Sequence, residues 1–389
     1  PTIGLGIMAT QASAITFLST PGQAYADGMR FVQFYFGLPL AMVVIGAVFV
    51  PIFHRLNVYT AYEYLEHRFD VRVRCLGALL FLVQRGLAVG ITIYAPAIIL
   101  STILGWPLGL TNLGIGLLVI AYTVFGGARA VAETQKQQMI VMLGGIALAG
   151  VLIFLRLPEP VTLPNAVKLA GAFDRMNAVS FDLDFASRYN FWSGIAGGFF
   201  LALAYFGTDQ SQVQRYLCGR SISESRLGLL FNGMLKVPMQ LAILFVGVLV
   251  FVFYLFTQPP LLFNASLLEQ VRGTPHAAEL DAVSKRYDRA FETQRLAAEA
   301  YVSTLDSGGD AAAAKDRLRA AAAEVETVRK EARAVVARAL PGVNTQDTDY
   351  IFLSFVLSYV PAGLIGLLIA VILCAAMSSI SSELAALGS

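Results

Sequence analysis

Charge is what this chain of 389 residues has little of. Lys, Arg, Asp and Glu together make up 14% of it, where a soluble domain carries roughly a quarter. Hydrophobic residues make up 57% and the mean hydropathy is +0.66. These values exclude an ordinary soluble domain and define a multi-spanning membrane protein. Cysteine is also scarce. Cys75, Cys218 and Cys374 lie far apart and form neither a ligand cluster nor a disulfide framework. The three histidines, His54, His67 and His276, are not spaced as metal ligands. No glycine-rich phosphate loop follows a strand pattern, and no span carries a pair of carboxylates. An enzyme is therefore not expected. The net charge of +2 gives no sign of nucleic-acid binding, and the expected surroundings are a lipid bilayer. A basic signal-peptide start is also missing. Pro1 falls inside an apolar run, so the chain reads as a piece of a longer one.

About 20 apolar residues cross a bilayer. Eight spans are expected, near 3–20, 28–53, 75–104, 110–125, 137–156, 191–207, 226–256 and 350–380. Pro51, Gly105-Trp106-Pro107 and Gly126-Gly127 mark their ends. Lys and Arg collect in alternate loops: Arg55, Arg68, Arg72 and Arg74, then Arg129 and Lys136, then Arg215, Arg220 and Arg226. By the positive-inside rule these loops face the cytoplasm, and the loops 157–190 and 264–346 face out. Nearly half of the chain's charges lie between 264 and 346. There, Leu280, Val283, Tyr287, Phe291, Tyr301 and Leu305 mark one helical stripe, and Leu318, Ala322, Val325, Val328, Ala332 and Val335 mark another. With a turn at Asp306-Ser-Gly-Gly-Asp310, they predict an antiparallel helical hairpin.

Polar groups inside apolar runs are the candidates for chemistry. Ala9–Gly22 contains Thr10, Gln11, Ser13, Thr16, Ser19 and Thr20 and closes on Pro21-Gly22. It reads as a breakable helix that exposes carbonyl oxygens at mid-membrane, or as a small-residue packing face. Ser378, Ser379, Ser381 and Ser382 form a band of hydroxyls. Hard oxygen donors of this kind suit sodium, and close helix packing is the alternative. Arg85 and Lys236 each lie about ten residues into a span. Intramembrane charges cost about 2.5–3.5 kcal/mol even on the lenient insertion scale, so each needs a cavity, a partner or a route to the interface. Asp209 is expected either to pair with Arg215 or to cap a helix.

Several stretches together resemble the sodium/solute symporter family, which includes sodium-coupled sugar, iodide, monocarboxylate, proline and sialic-acid transporters. They are Ser13-Ala-Ile-Thr-Phe-Leu-Ser-Thr-Pro-Gly22, Tyr59-Thr-Ala-Tyr-Glu-Tyr-Leu-Glu-His-Arg-Phe69, Ile93-Tyr-Ala-Pro-Ala97, Thr208-Asp-Gln-Ser-Gln-Val-Gln-Arg215 and the terminal serines. The resemblance covers all the spans and omits only the 264–346 insertion. It implies an all-α membrane fold of two inverted five-helix repeats, present here as core helices one to eight. On that scheme 1–156 is the first repeat, 157–190 an external loop, 191–256 the start of the second repeat, 257–349 an external charged hairpin and 350–389 the eighth core helix.

The resemblance also implies a sodium site from Ala9, Ala12, Ala375, Ser378 and Ser379. A second sodium site would use Ser381 and Ser382, but the position of its aspartate reads Gln135, which favours one ion per cycle. Gln11, Thr16, Tyr35, Arg85, Tyr205 and Lys236 fall at the solute site. Arg85 matches the arginine that holds a substrate carboxylate in the sialic-acid branch. The expected activity is sodium-coupled import of a small polar, carboxylate-bearing solute across a bacterial inner membrane. A sugar or polyol symporter and the transporter-like sensor module of a histidine kinase are the alternatives.

Overall fold

A computed structural model describes the chain apart from Pro1, Ala12, Ser13, Pro160, Phe185, Ala186, Cys218, Arg220 and Ser389. At some helical positions, 126–136 among them, only the backbone is described. The described residues form helices joined by short connections, with no strand among them. α1 (Thr2–Gln11) and α2 (Ala14–Asp27) are followed by a 3₁₀ segment, Gly28–Tyr35. Then come α3 (Gly37–Val44), a π-helical turn (Ile45–Phe49), α4 (Val50–Leu56), α5 (Glu63–Arg68), α6 (Val71–Leu104) and α7 (Leu108–Leu155). α8 (Leu163–Ala172), α9 (Phe191–Thr208), α10 (Gln210–Leu217) and α11 (Ile222–Phe256) lead to the insertion. The insertion contains α12 (Ala265–Arg272), α13 (Ala277–Asp306) and α14 (Ala312–Ala339). A short 3₁₀ turn, Thr348–Tyr350, precedes α15 (Ile351–Tyr359) and α16 (Ala362–Leu387).

Local chemistry explains most boundaries. Gly105, at φ 69°, ends α6 in the left-handed region, where a glycine pays no steric penalty. Asp70 caps the other end by accepting from the Val73 amide at 2.9 Å. Asn190 and Ser193 form a reciprocal capping box at the start of α9. Among the described residues, six helical stretches are long and apolar enough to cross a membrane.

Three expected boundaries change. Pro21 does not end the first span; it lies inside α2, which runs on to Asp27. Its ring removes one helical hydrogen bond, but packing against α11 holds the helix together. Gly126-Gly127 does not separate two helices either, because α7 continues through it as one helix of 48 residues. Glycine weakens a helix but does not forbid it, and no proline follows. The eighth span is instead broken at Val360-Pro361, where backbone in the extended region separates α15 from α16.

α11 is the central post. Nearly all of its second half is buried, and α1, α2 and α3 pack along it. Its 35 residues span about 52 Å. The basic connection around Arg215 and Arg226 therefore lies at one end and the insertion at the other. The insertion is the expected antiparallel hairpin: α13 and α14 pair along their length, with Gly308 at φ 67° in the turn. Leu280, Val283, Tyr287, Phe291 and Tyr301 on one helix and Leu318, Val325, Val328, Ala332 and Val335 on the other are buried.

α2 and α11 approach closely because Gly247 has no side chain. A Cβ there would lie 2.2 Å from the Pro21 carbonyl oxygen, a contact no rotamer can relieve. Gly247→Val is expected to cost at least about 1–3 kcal/mol through overpacking, read as a lowered unfolding temperature in detergent. An unchanged temperature would show that this seam is loose.

Candidate functional site

The terminal serines lie well inside α16, not at a helix end, because the helix continues to Leu387. Ser378, Ser379, Ser381 and Ser382 are all buried. Ser378 Oγ donates to the Ala9 carbonyl oxygen at 3.4 Å, so α16 meets α1 at the expected place. Ala9 and Ala375 are fully buried at the same seam. The Ser379 hydroxyl is buried and has no hydrogen-bond partner among the described residues. A buried orphan hydroxyl is costly, and an oxygen-preferring cation would satisfy it. The set of Ala9, Ser378 and Ser379 therefore fits sodium in donor type. Ala12 lies outside the described residues.

The neighbouring pair of serines is used differently. Ser381 and Ser382 hydroxyls donate to the Ser378 carbonyl at 3.1 and 2.8 Å. Ser382 Oγ also lies 3.3 Å from Thr10 Oγ1 and accepts from Arg215 at 2.5 Å. A guanidinium at this position repels a second cation. It adds to the neutral Gln135, whose side chain lies outside the described residues, as an argument against a second sodium.

A cavity of about 470 Å³ opens beside this seam. Its polar lining comes from Gln11, Tyr35, Tyr62, Gln84, Tyr205 and Asp209, among apolar residues of α6 and α9. Three of the expected solute-site residues, Gln11, Tyr35 and Tyr205, are thus brought together. The Gln11 Oε1 atom is buried without a hydrogen-bond partner among the described residues. Tyr205 is oriented by Gln212, which donates to its hydroxyl at 2.8 Å. Thr16 is buried but does not line this cavity.

The two expected cations stand one layer behind the lining. Lys236 Nζ lies 5.7 Å from the centre of the Tyr35 ring. It is 1% exposed, and no carboxylate among the described residues is within ion-pair distance of it. Arg85 lies 5.7 Å from the centre of the Tyr205 ring, and it is already paired. It forms ion pairs with Asp209 and, at 3.0 Å, with Glu383. Where the sequence suggested a solute carboxylate for Arg85, the structure shows two carboxylates of this chain beside it. Asp209 pairs with Arg85 rather than Arg215. It also caps α10, accepting from the Ser211 amide and hydroxyl at 2.9 and 2.7 Å.

Tyr62, Gln84 and Glu383 were missed by sequence reasoning. Glu383 carried a usable signal, a carboxylate directly after a serine run in an apolar helix. It was lost because the span was expected to end at 380.

The fold and this buried polar seam define a multi-pass helical membrane protein with its polar residues gathered between helices. A family model described as "Sodium:solute symporter family" matches residues 2–278, and the chain belongs to that family, one of transporters rather than enzymes. The human sodium/iodide cotransporter is 36% identical over 272 residues, covering 69% of this chain and 41% of that one. The human sodium-coupled monocarboxylate transporter 1 is 36% identical over 234 residues, covering 59% and 37%. The chain thus spans about two fifths of the length of these relatives. A solved structure, described as the substrate-bound outward-open state of a Na⁺-coupled sialic acid symporter, superposes with a TM-score of 0.70 at 24% identity. It covers 99% of this chain and 64% of that one, so this chain has its fold. The family match ends at 278, and the hairpin helices α13 and α14 lie almost wholly beyond it.

Arg85 joins three elements through buried charges. Arg85→Gln is expected to destabilise the protein by about 3–5 kcal/mol, because two carboxylates lose their cation. Arg85→Gln with Glu383→Gln should recover part of this loss. Thermal unfolding of the single and double variants measures the coupling; simple additivity would show that the cluster is not a unit.

Proposed function

We propose that this chain belongs to a sodium-coupled symporter that moves a small polar anion by alternating access, with one sodium per cycle. The observation that carries the anion is Lys236. It is a fully buried cation with no ion-pair partner among the described residues, and it packs against Tyr35 at the cavity wall. A buried charge of this kind is strongly unfavourable alone, and a solute carboxylate in the cavity would compensate it. Gln11 and Tyr205 then offer hydrogen bonds to the rest of the solute, Thr16 lies further along α2, and Arg85 acts as the structural tie behind Tyr205.

Sodium binds at Ala9, Ala12, Ala375, Ser378 and Ser379 and bridges α1 and α16. It favours the conformation in which the two helices meet, which couples the ion to the cavity beside them. The basic loops at one end of α11 support a cytoplasmic face there and an external hairpin at the other. A bacterial inner membrane is the proposed location. The similarity to iodide and monocarboxylate transporters supports an anionic solute over the sugar or polyol reading.

Uptake into proteoliposomes tests this, with the full-length protein, a panel of carboxylates and sugars, and sodium or choline outside. Lys236→Met is expected to reduce carboxylate uptake at least about tenfold, the scale of one charge-assisted hydrogen bond. Ser379→Ala is expected to raise the sodium concentration needed for half-maximal uptake. Full carboxylate uptake by the Lys236→Met variant would overturn the anion reading. Sodium-dependent uptake of a neutral sugar, lost in Gln11→Ala, would replace it with the sugar reading.

A further inference from the structure

A second and larger cavity, about 960 Å³, lies between the hairpin and the Asp27 end of α2. The inner pocket does not account for it, and its hairpin wall lies outside the family match. Its floor is a cluster of aromatic rings. Tyr25 meets Phe251 and Phe263 edge-on, each at 5.7 Å, and Tyr254 at 6.1 Å.

Two guanidiniums sit on this cluster. Arg175 lies over the Phe251 ring at 5.1 Å, and Arg329 lies over the Phe263 ring at 4.6 Å. Both Phe251 and Phe263 touch Tyr25, so the two arginines flank one aromatic floor. Arg329 is 4% exposed. Its Nε donates to the Leu261 carbonyl at 3.2 Å, while its buried Nη2 makes no hydrogen bond. The Asp347 carboxylate is 3.9 Å from that atom and is turned to the Phe263 amide, from which it accepts at 2.6 Å. The Arg175 Nε is likewise buried and without a partner. Burial lowers the pKa of Arg175, while the nearby carboxylates of Asp27, Glu326 and Asp174 act in the opposite direction.

Acids line the cavity too. Asp174 pairs with Arg319 at 2.9 Å, and Glu326 pairs with Arg333 at 3.0 Å. Asp27 accepts from Gln23 at 2.9 Å, and Asp349 stands at the rim. Against these, Arg175, Arg188 and Lys330 have no carboxylate partner among the described residues. The lining therefore holds six cations and five acids, a surplus of one positive charge, together with two buried N–H donors that lack acceptors.

We propose that this cavity is a separate binding site for an organic monoanion. Arg175 and Arg329 hold the charged group, and the aromatic floor takes the apolar body. Binding here needs no sodium, because the protein's own guanidiniums hold the charged group. Fixed guanidiniums held by ring stacking also suit the planar fork of a carboxylate better than a hydrated ammonium would.

The test is calorimetric titration of the full-length protein in choline with benzoate, and with benzamide as the uncharged match. Benzoate is expected to bind without sodium and benzamide not to bind. Arg175→Gln is expected to weaken benzoate at least about tenfold. Lys330→Gln, on the exposed face of α14 and harmless to folding, should produce a smaller loss. Equal affinity for benzamide, no benzoate binding, or unchanged affinity in both variants would overturn the site. Benzoate binding that appears only in sodium and disappears in Lys236→Met would assign the anion to the inner pocket instead. Sodium-free benzoate binding together with sodium-independent uptake would keep the cavity and discard the symport reading.

Discussion

Arg85 carries a charge inside a helix bundle, and the surrounding architecture is arranged around neutralising it. One side chain on α6 reaches Asp209 at the α9–α10 corner and Glu383 on α16. None of the three charges is tolerable there alone. Their pairing fixes the relative positions of three helices that are far apart in sequence. It also places Tyr205, against the Arg85 guanidinium, at the cavity wall. The bridge therefore works as an alignment device, and the cost of burying it is offset only while all its members remain in place.

A second seam depends on that alignment. With α16 held by Glu383, the serines one turn earlier face α1, and Ser378 meets Ala9. Ser382 is drawn toward Thr10 and Arg215, while Ser379 is left with an unsatisfied oxygen. Of the four hydroxyls, three are engaged by the protein, and Ser379 alone lacks a partner among the described residues.

The hairpin follows a different logic. Its two helices bury their own stripe, as a soluble hairpin does. Its connection to the membrane part is both apolar and polar: Ala298, Tyr301, Val302 and Leu318 join the buried cluster that includes α11, while Arg319 pairs with Asp174, Asn165 with Asp306 at 2.8 Å, and Tyr287 with the Pro259 carbonyl at 2.7 Å. The larger cavity lies in this same interface. The chain presents two polar chambers along the α1–α2 run, one at Gln11 near its middle and one under the hairpin at its Asp27 end.

Much of the architecture could be read in one dimension. Low charge and long apolar runs specify a multi-span bundle, because hydrocarbon accepts little else. Two apolar stripes around Asp306–Asp310 specify the hairpin, because the helical period is local. The serine band and the Ala9 stretch were each legible because polar groups in apolar runs are costly and therefore conspicuous, and the family resemblance joined them. Partners were not legible. Nothing local distinguishes Arg85 as a residue bound to two carboxylates from Lys236 as one without any. Their answers lie at Asp209 and Glu383, well over a hundred residues away for the nearer one, and pairing across such separations is decided only when the helices pack. Which cation is paired within the chain, and that a second chamber exists at all, were decided by tertiary structure, since both depend on distances between elements that no sequence pattern contains.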